Sequence, residues 1–142
     1  RSDGAMATEL RPGMVFEKTM TVSEDHVARH LVGHGVGVLS TPELIRFIEI
    51  CALEGVRAYL PPEQETVGTR VDIRHLAATP VGMKITARCA LTGIDRRRLA
   101  FSFEVQDELD KVAEGTHDRF IVDRDRQQQR IQEKLAKWKR PA

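Results

Sequence analysis

Hydrophobic and polar positions alternate along much of the second half of this chain. The alternation is clearest in residues 82–94 and 98–107, where almost every second side chain is apolar. A period of two residues predicts strands with one buried face. Residues 66–76 and 111–122 predict two more strands, and residues 14–22, which follow a Pro-Gly turn, predict an earlier one. The pattern therefore predicts a sheet of five mostly antiparallel strands.

One long apolar segment between the first two strands is typical of a helix. Ser40 or Thr41 can cap its start, and Pro42 suits the first turn. Two consecutive prolines follow the segment and end it. We predict a helix from Thr41 to about Tyr59 that is hydrophobic around most of its circumference. Such a helix needs a curved sheet wrapped around it.

A second helix is predicted over residues 124–139, with Ile131, Leu135 and Trp138 on one face. A single sheet with one apolar helix buries only one of its sides. We therefore expect the remaining face and edges to pair with a second copy of the chain. The order of elements predicts an α+β fold of the hotdog architecture, usually a dimer, with a C-terminal helix added.

Composition narrows the range of partners. With 142 residues, 41% of them hydrophobic, the chain is long enough for one domain with a real core. A net charge of +1 gives no reason to expect nucleic acid or a membrane as a partner. We expect residues 1–5 to be a cloning remnant, residues 6–142 to be one domain, and the protein to be cytoplasmic. Cys51 and Cys89 are read as buried thiols, with a disulfide left open.

Three polar residues lie in apolar surroundings: Thr41, Glu49 and His75. A carboxylate, a hydroxyl and an imidazole are groups suited to acyl transfer or hydrolysis. Each also has a structural interpretation. Thr41 alone is an N-cap, His75 alone bonds to backbone, and Glu49 alone pairs with Arg46 or Arg57.

Several motifs together resemble the fluoroacetyl-CoA thioesterase family of hotdog proteins, over about residues 15–122. The matching stretches are His26-Val27-Ala28-Arg29-His30-Leu31, Thr41 eight residues before Glu49, Val67-Gly68-Thr69, His75-Leu76-Ala77-Ala78-Thr79-Pro80-Val81-Gly82 and Glu114-Gly115-Thr116-His117-Asp118-Arg119. The resemblance implies that Thr41, Glu49 and His75 are catalytic. It also implies that Gly68 and Arg119 line the acyl pocket.

By the same resemblance, the reaction is hydrolysis of an acyl-CoA thioester by a homodimer. Coenzyme A is then part of the substrate, and no separate cofactor is expected. Glu49 attacks the thioester directly or activates water, and the sequence leaves both routes open. The family's fluoroacetyl-specific lid carries a phenylalanine, whereas residues 32–40 contain no aromatic side chain. This departure favours a different small or medium acyl group.

Two other interpretations compete with hydrolysis. One is a non-catalytic module that binds acyl-CoA as a metabolite sensor. The other is a hydratase, although the Asp and His motif of hotdog hydratases is absent from the sequence. A histidine ladder formed by His26, His30 and His34 suggests a metal site, but Gly33 and Gly35 interrupt the helix that it needs. We expect no metal.

Overall fold

The fold is one antiparallel sheet crossed by one long helix, in a computed structural model that describes residues 9–138. The α-helices are α1 (Thr41–Arg57) and α2 (Arg124–Lys137), and two short 3₁₀ helices, Glu24–His26 and Arg29–Leu31, precede α1. The strands are β1 (Val15–Thr21), β2 (Gln64–His75), β3 (Lys84–Asp95), β4 (Arg98–Gln106) and β5 (Lys111–Asp123). Their order in the sheet is β1-β3-β4-β5-β2, with every pair antiparallel. This is the predicted hotdog layout. The expected cloning remnant, residues 1–5, lies outside the described residues.

Helix α1 packs on the sheet through one apolar stripe. The buried stripe consists of Leu44, Phe47, Ile48, Cys51, Ala52 and Val56. These positions recur every three or four residues, so they share one helix face. The inward side chains of β3, β4 and β5 complete the core, as the alternating burial along these strands shows.

A single chain leaves part of the apolar surface of α1 uncovered by the sheet. Ile45, Ile50 and Leu53 are only half-buried. The apolar content of the helix is therefore greater than one copy of the sheet can cover.

Strand β2 lies at the edge of the sheet, with β5 as its neighbour. Its pairing with β5 shifts register between Gly68 and Arg70, so that Thr69 forms a bulge. Such bulges change the direction in which side chains point. Among the described residues, nothing pairs with the outer edge of β2. This long free edge is where a further strand could be added.

The cysteines and the second helix can also be compared with the sequence predictions. Cys51 and Cys89 are buried free thiols. The apolar face of α2 is exposed, because Ile131, Leu135 and Trp138 keep about half of their surface in solvent. Within residues 9–138, neither helix is long and apolar enough to cross a membrane.

Candidate functional site

The start of α1 brings Thr41 and His75 together. Ser40 is the N-cap, since its hydroxyl accepts a hydrogen bond from the backbone N–H of Glu43 at 3.2 Å. Thr41 is therefore not needed as a cap. Its Oγ1 instead lies 2.8 Å from Nδ1 of His75, the last residue of β2. The hydroxyl and the imidazole meet as the family resemblance implies.

The loop after His75 is tied to the segment before α1. The backbone N–H of Leu39 donates to the carbonyl of Thr79 at 2.9 Å, and that of Val81 donates to Gly37 at 3.0 Å. The buried Thr79 hydroxyl donates to the Asp107 carboxylate at 2.9 Å. These bonds hold the two segments that carry Thr41 and His75 in a fixed relation.

His75 is held neutral by its surroundings. Burial lowers the pKa of its imidazole, and the nearby backbone of Ala77 opposes that effect. Its Nε2 is buried without a hydrogen-bond partner among the described residues. A neutral imidazole with an unused ring nitrogen is suited to accept a proton from a group that enters the site.

Glu49 does not pair with the arginines nearest to it in the sequence. Arg46 pairs with Glu43 and Arg57 with Glu65. The Glu49 carboxylate lies 3.5 Å from Nη1 of Arg119, which reaches it from β5. The expected structural role of Glu49, pairing along its own helix, is therefore wrong.

Arg119 is rigidly held although its guanidinium is charged. Only 5% of its side chain is exposed. Nε donates to the hydroxyl of Thr66 at 2.8 Å, and Nη2 donates to the Thr66 carbonyl at 2.9 Å. Nη1 lies 3.2 Å from Nε2 of His117. Burial lowers the pKa of this guanidinium, and the Glu49 carboxylate opposes that effect.

Gly68 lies where Glu49 and Arg119 approach the sheet. A Cβ atom added to Gly68 would overlap Oε2 of Glu49 and would lie 3.2 Å from Nη1 of Arg119. Glycine at this position therefore leaves the space that the carboxylate occupies. Both residues predicted to line the pocket, Gly68 and Arg119, are in contact with Glu49 or next to it.

The three predicted catalytic residues do not meet within one chain. Glu49 follows Thr41 by eight residues, which corresponds to about 12 Å along the helix axis. No hydrogen bond joins Glu49 to Thr41 or His75 in the described part of the chain. One copy thus carries two half-sites: Thr41 with His75, and Glu49 with Arg119.

A cleft of about 780 Å³ opens beside the first half-site. Its wall combines Thr41 and His75 with apolar side chains that include Val27, Leu31, Val38, Leu39 and Leu76. The wall also includes the charged side chains of Asp25, Arg29 and Glu43. A cleft that combines apolar surface with convergent polar groups is the usual form of a small-molecule site. Of the three histidines considered as metal ligands, His26 accepts a hydrogen bond from the Ser23 backbone, while His30 and His34 are exposed.

Three residues of this region were not assigned to the site by sequence. Thr66 and His117 hold Arg119, and Thr79 holds the loop after His75. All three are buried polar side chains. Thr66 lies two positions before Gly68 on β2, and His117 two positions before Arg119 on β5, so strand alternation places each beside a residue already singled out.

The chain matches a known family over most of its length. The family described as fluoroacetyl-CoA-specific thioesterase matches residues 22–125, most of the chain. The chain belongs to this family. It is therefore a member of a group of thioesterases. The fluoroacetyl-CoA thioesterase of Streptantibioticus cattleyicolor is 27% identical over 123 residues, 82% of this chain and 88% of that protein.

Solved structures give the same fold. A mutant of a fluoroacetyl-CoA-specific thioesterase superposes with a TM-score of 0.82 at 25% identity, covering 89% of this chain and 98% of the other. A hot-dog-like protein from Thermanaerovibrio acidaminovorans has a TM-score of 0.81 at 20% identity and covers 99% of this chain and all of its own. The chain therefore has the hotdog fold.

Proposed function

We propose that this protein hydrolyses the thioester of a small or medium acyl-CoA, using Thr41, His75 and Glu49. The observation that carries the proposal is the bond between Thr41 and His75 at the start of α1, on the wall of a cleft. Membership of a thioesterase family supports it. The two buried free thiols suit a reducing cytoplasm, where we expect the reaction to occur.

The start of α1 offers a site for the thioester oxygen. Pro42 has no N–H, and the N–H of Glu43 is taken by Ser40. The Thr41 N–H has no partner among the described residues. When Nδ1 of His75 donates to Thr41, the Thr41 hydroxyl hydrogen is free to bond the same oxygen. These two donors would stabilise the negative charge of a tetrahedral intermediate.

Glu49 supplies the negative charge that the reaction needs. In one route, its carboxylate attacks the carbonyl carbon, the C–S bond breaks, and CoA leaves as the thiolate before water cleaves the anhydride. In the other, Glu49 takes a proton from the attacking water. Both routes give the free acid and CoA. In the first route, the buried Nε2 of neutral His75 accepts the proton of the water that cleaves the anhydride, and in the second route that proton goes to Glu49.

A panel of acyl-CoA substrates tests the proposal. Release of CoA is followed with a thiol-reactive dye, from acetyl-CoA through medium-chain acyl-CoAs. We expect turnover with at least one substrate and loss of turnover in Glu49→Ala and His75→Ala. Thermal stabilisation by acyl-CoA without any thiol release would favour the binding module instead. Loss of enoyl-CoA absorbance without thiol release would favour a hydratase.

We further propose that the working form is a homodimer joined through the free edge of β2. Residues 67–70 of this strand are exposed in a single chain, and Ile45, Ile50 and Leu53 of α1 are incompletely covered. Antiparallel pairing of β2 with its copy about a two-fold axis would extend the sheet across both chains. This arrangement would give the half-buried face of α1 a second layer to pack against.

Such pairing would also unite the two half-sites. If the two-fold axis lay between Val71 and Asp72, Gly68 would lie opposite the second copy's His75. Gly68 lies beside the carboxylate of Glu49, and His75 is hydrogen-bonded to Thr41. Each complete site would then take Glu49 from one chain, and Thr41 with His75 from the other. This explains why the three residues are apart in one copy.

Complementation between two inactive variants tests this assembly. Glu49→Gln and His75→Ala proteins are unfolded together, refolded as a mixture, and assayed for thiol release. Random pairing should restore about a quarter of the wild-type rate, because half of the dimers contain one site with both native residues. If each site is built from one chain, the mixture stays inactive. A size measurement by light scattering confirms that dimers have formed.

A further inference from the structure

We propose that His117 is a positioning residue that aims the Arg119 guanidinium at Glu49. This proposal rests on the proposed function, because it concerns the carboxylate assigned to hydrolysis. His117 is fully buried and does not line the cleft beside Thr41. Its effect on the reaction therefore passes through Arg119.

The hydrogen bonds around Arg119 show what His117 does. Thr66 engages Nε and Nη2 on one edge of the guanidinium. Nη1 carries two hydrogens and has two neighbours, Nε2 of His117 at 3.2 Å and a carboxylate oxygen of Glu49 at 3.5 Å. With one hydrogen of Nη1 bonded to the imidazole, the other is left for the carboxylate oxygen 3.5 Å away. Thr66 holds Nε and Nη2, and His117 holds the third nitrogen, Nη1, which is the one that faces Glu49.

These contacts determine the tautomer of His117. Arginine donates and does not accept, so Nε2 of His117 must be the acceptor. The ring proton is then on Nδ1, which donates to the carbonyl of Arg70 at 2.8 Å. The same side chain thus ties Arg119 to β2 immediately after the bulge at Thr69. The two bonds require the neutral imidazole.

The surroundings of His117 keep it neutral. Burial lowers the pKa of its imidazole, and the positive charge of Arg119 lowers it further. The Arg70 carbonyl and the carboxylates of Glu49 and Asp118 act in the opposite direction. On the β4 side, the ring of Phe101 stacks at a centroid distance of 6.0 Å and adds no charge. Protonation would turn Nε2 into a donor facing Nη1, which would end the bond to Arg119.

Two amide substitutions separate the two bonds of the ring. Glutamine at this position has its amide near the place of Nε2 and can accept from Arg119. Asparagine has its amide near the place of Nδ1 and can donate to the Arg70 carbonyl. Both variants replace a buried imidazole with a smaller amide, so both should lose a similar amount of stability. Each variant is therefore the control for the other.

Kinetics of His117→Gln and His117→Asn test the proposal, with the best acyl-CoA of the panel as substrate. We expect His117→Asn to lower kcat at least about tenfold more than His117→Gln, the size of one lost hydrogen bond to a charged group. Melting temperatures of the two variants should be similar. Equal losses of kcat in both variants, or a larger loss in His117→Gln, would overturn the proposal.

A second comparison shows whether the effect passes through Arg119. In an Arg119→Lys background, replacing His117 with asparagine should change kcat by less than about twofold, because the group that it positions is gone. An undiminished effect of His117→Asn in that background would contradict the positioning role.

The tautomer can be tested without any activity. Long-range ¹H–¹⁵N spectra of the wild-type protein at neutral pH should show His117 protonated on Nδ1. The Nε2-protonated form or the doubly protonated form would overturn the proposal even if the thioesterase assay succeeds. Conversely, an Nδ1 proton in a protein that releases no thiol would leave this geometry standing while the proposed function fails.

Discussion

The substitution Gly68→Ala tests the placement of Glu49 with the smallest possible change. The new methyl group would overlap Oε2 of Glu49 and lie 3.3 Å from its Cδ. Since non-bonded atoms of this kind settle at about 3.5 Å, the carboxylate must move by about 1 Å or rotate away from Arg119. The strand itself has little reason to change, because Gly68 does not have a left-handed backbone conformation.

The expected effects on activity and stability therefore differ in size. A displacement of about 1 Å of a reacting group can lower the rate about 100-fold. The free energy of unfolding should change by no more than about 1 kcal/mol, because alanine loses less backbone entropy on folding than glycine and the carboxylate is the flexible end of its side chain. We expect kcat/KM to fall by roughly two orders of magnitude in a protein that melts near the wild-type temperature.

The assay is thiol release from the best acyl-CoA, together with a melting curve. Gly93→Ala is the matched control, since Gly93 is also a strand glycine, and a Cβ there would meet only the Cβ of Ala100 at 4.0 Å. The control should keep the wild-type rate. If Gly68→Ala also works within about twofold of wild type while folded, the carboxylate of Glu49 does not act from the position described.

Two further predictions concern neighbouring hydroxyls and pH. Ser40→Ala should lower the free energy of unfolding by about 1 kcal/mol with a modest change in kcat, because it removes the cap. Thr41→Ala should instead lower kcat far more than it lowers stability. Urea titration and thiol release check both variants, and the reverse pattern would contradict these roles. Burial lowers the pKa values of both His75 and His117 below the ordinary value for histidine. Above about pH 6.5 both side chains are neutral, and the native state keeps its full stability. This stability is lost as the pH falls towards the lower pKa values of the folded state. Urea midpoints should therefore decrease between about pH 7 and about pH 5.5, less steeply in His117→Gln, and an increase on acidification would contradict the assignment.

Much of the fold follows from local pattern. The alternation in β3 and β4 and the proline and serine at the start of α1 are signals contained within a few residues, and the elements appear where these signals lie. The cap itself could not be assigned, because Ser40 and Thr41 are adjacent and chemically alike. Only the position of His75 in space shows that Thr41 has another partner.

The candidate site depends more on tertiary structure. The partner of Glu49 is Arg119, distant in sequence and brought near by the antiparallel pairing of β2 with β5. Nearness in sequence alone favoured Arg46 and Arg57, which face other carboxylates. The role of His117 depends on which ring nitrogen meets Arg119, and no sequence pattern encodes that orientation.

The central claim is that Glu49 takes part in hydrolysis of an acyl-CoA thioester. The most direct measurement is thiol release by wild-type protein and by Glu49→Gln, which keeps the size of the side chain and removes its charge. The account predicts turnover by wild type and a loss of about 100-fold or more in a variant that remains folded. A Glu49→Gln protein that releases CoA at the wild-type rate would contradict it.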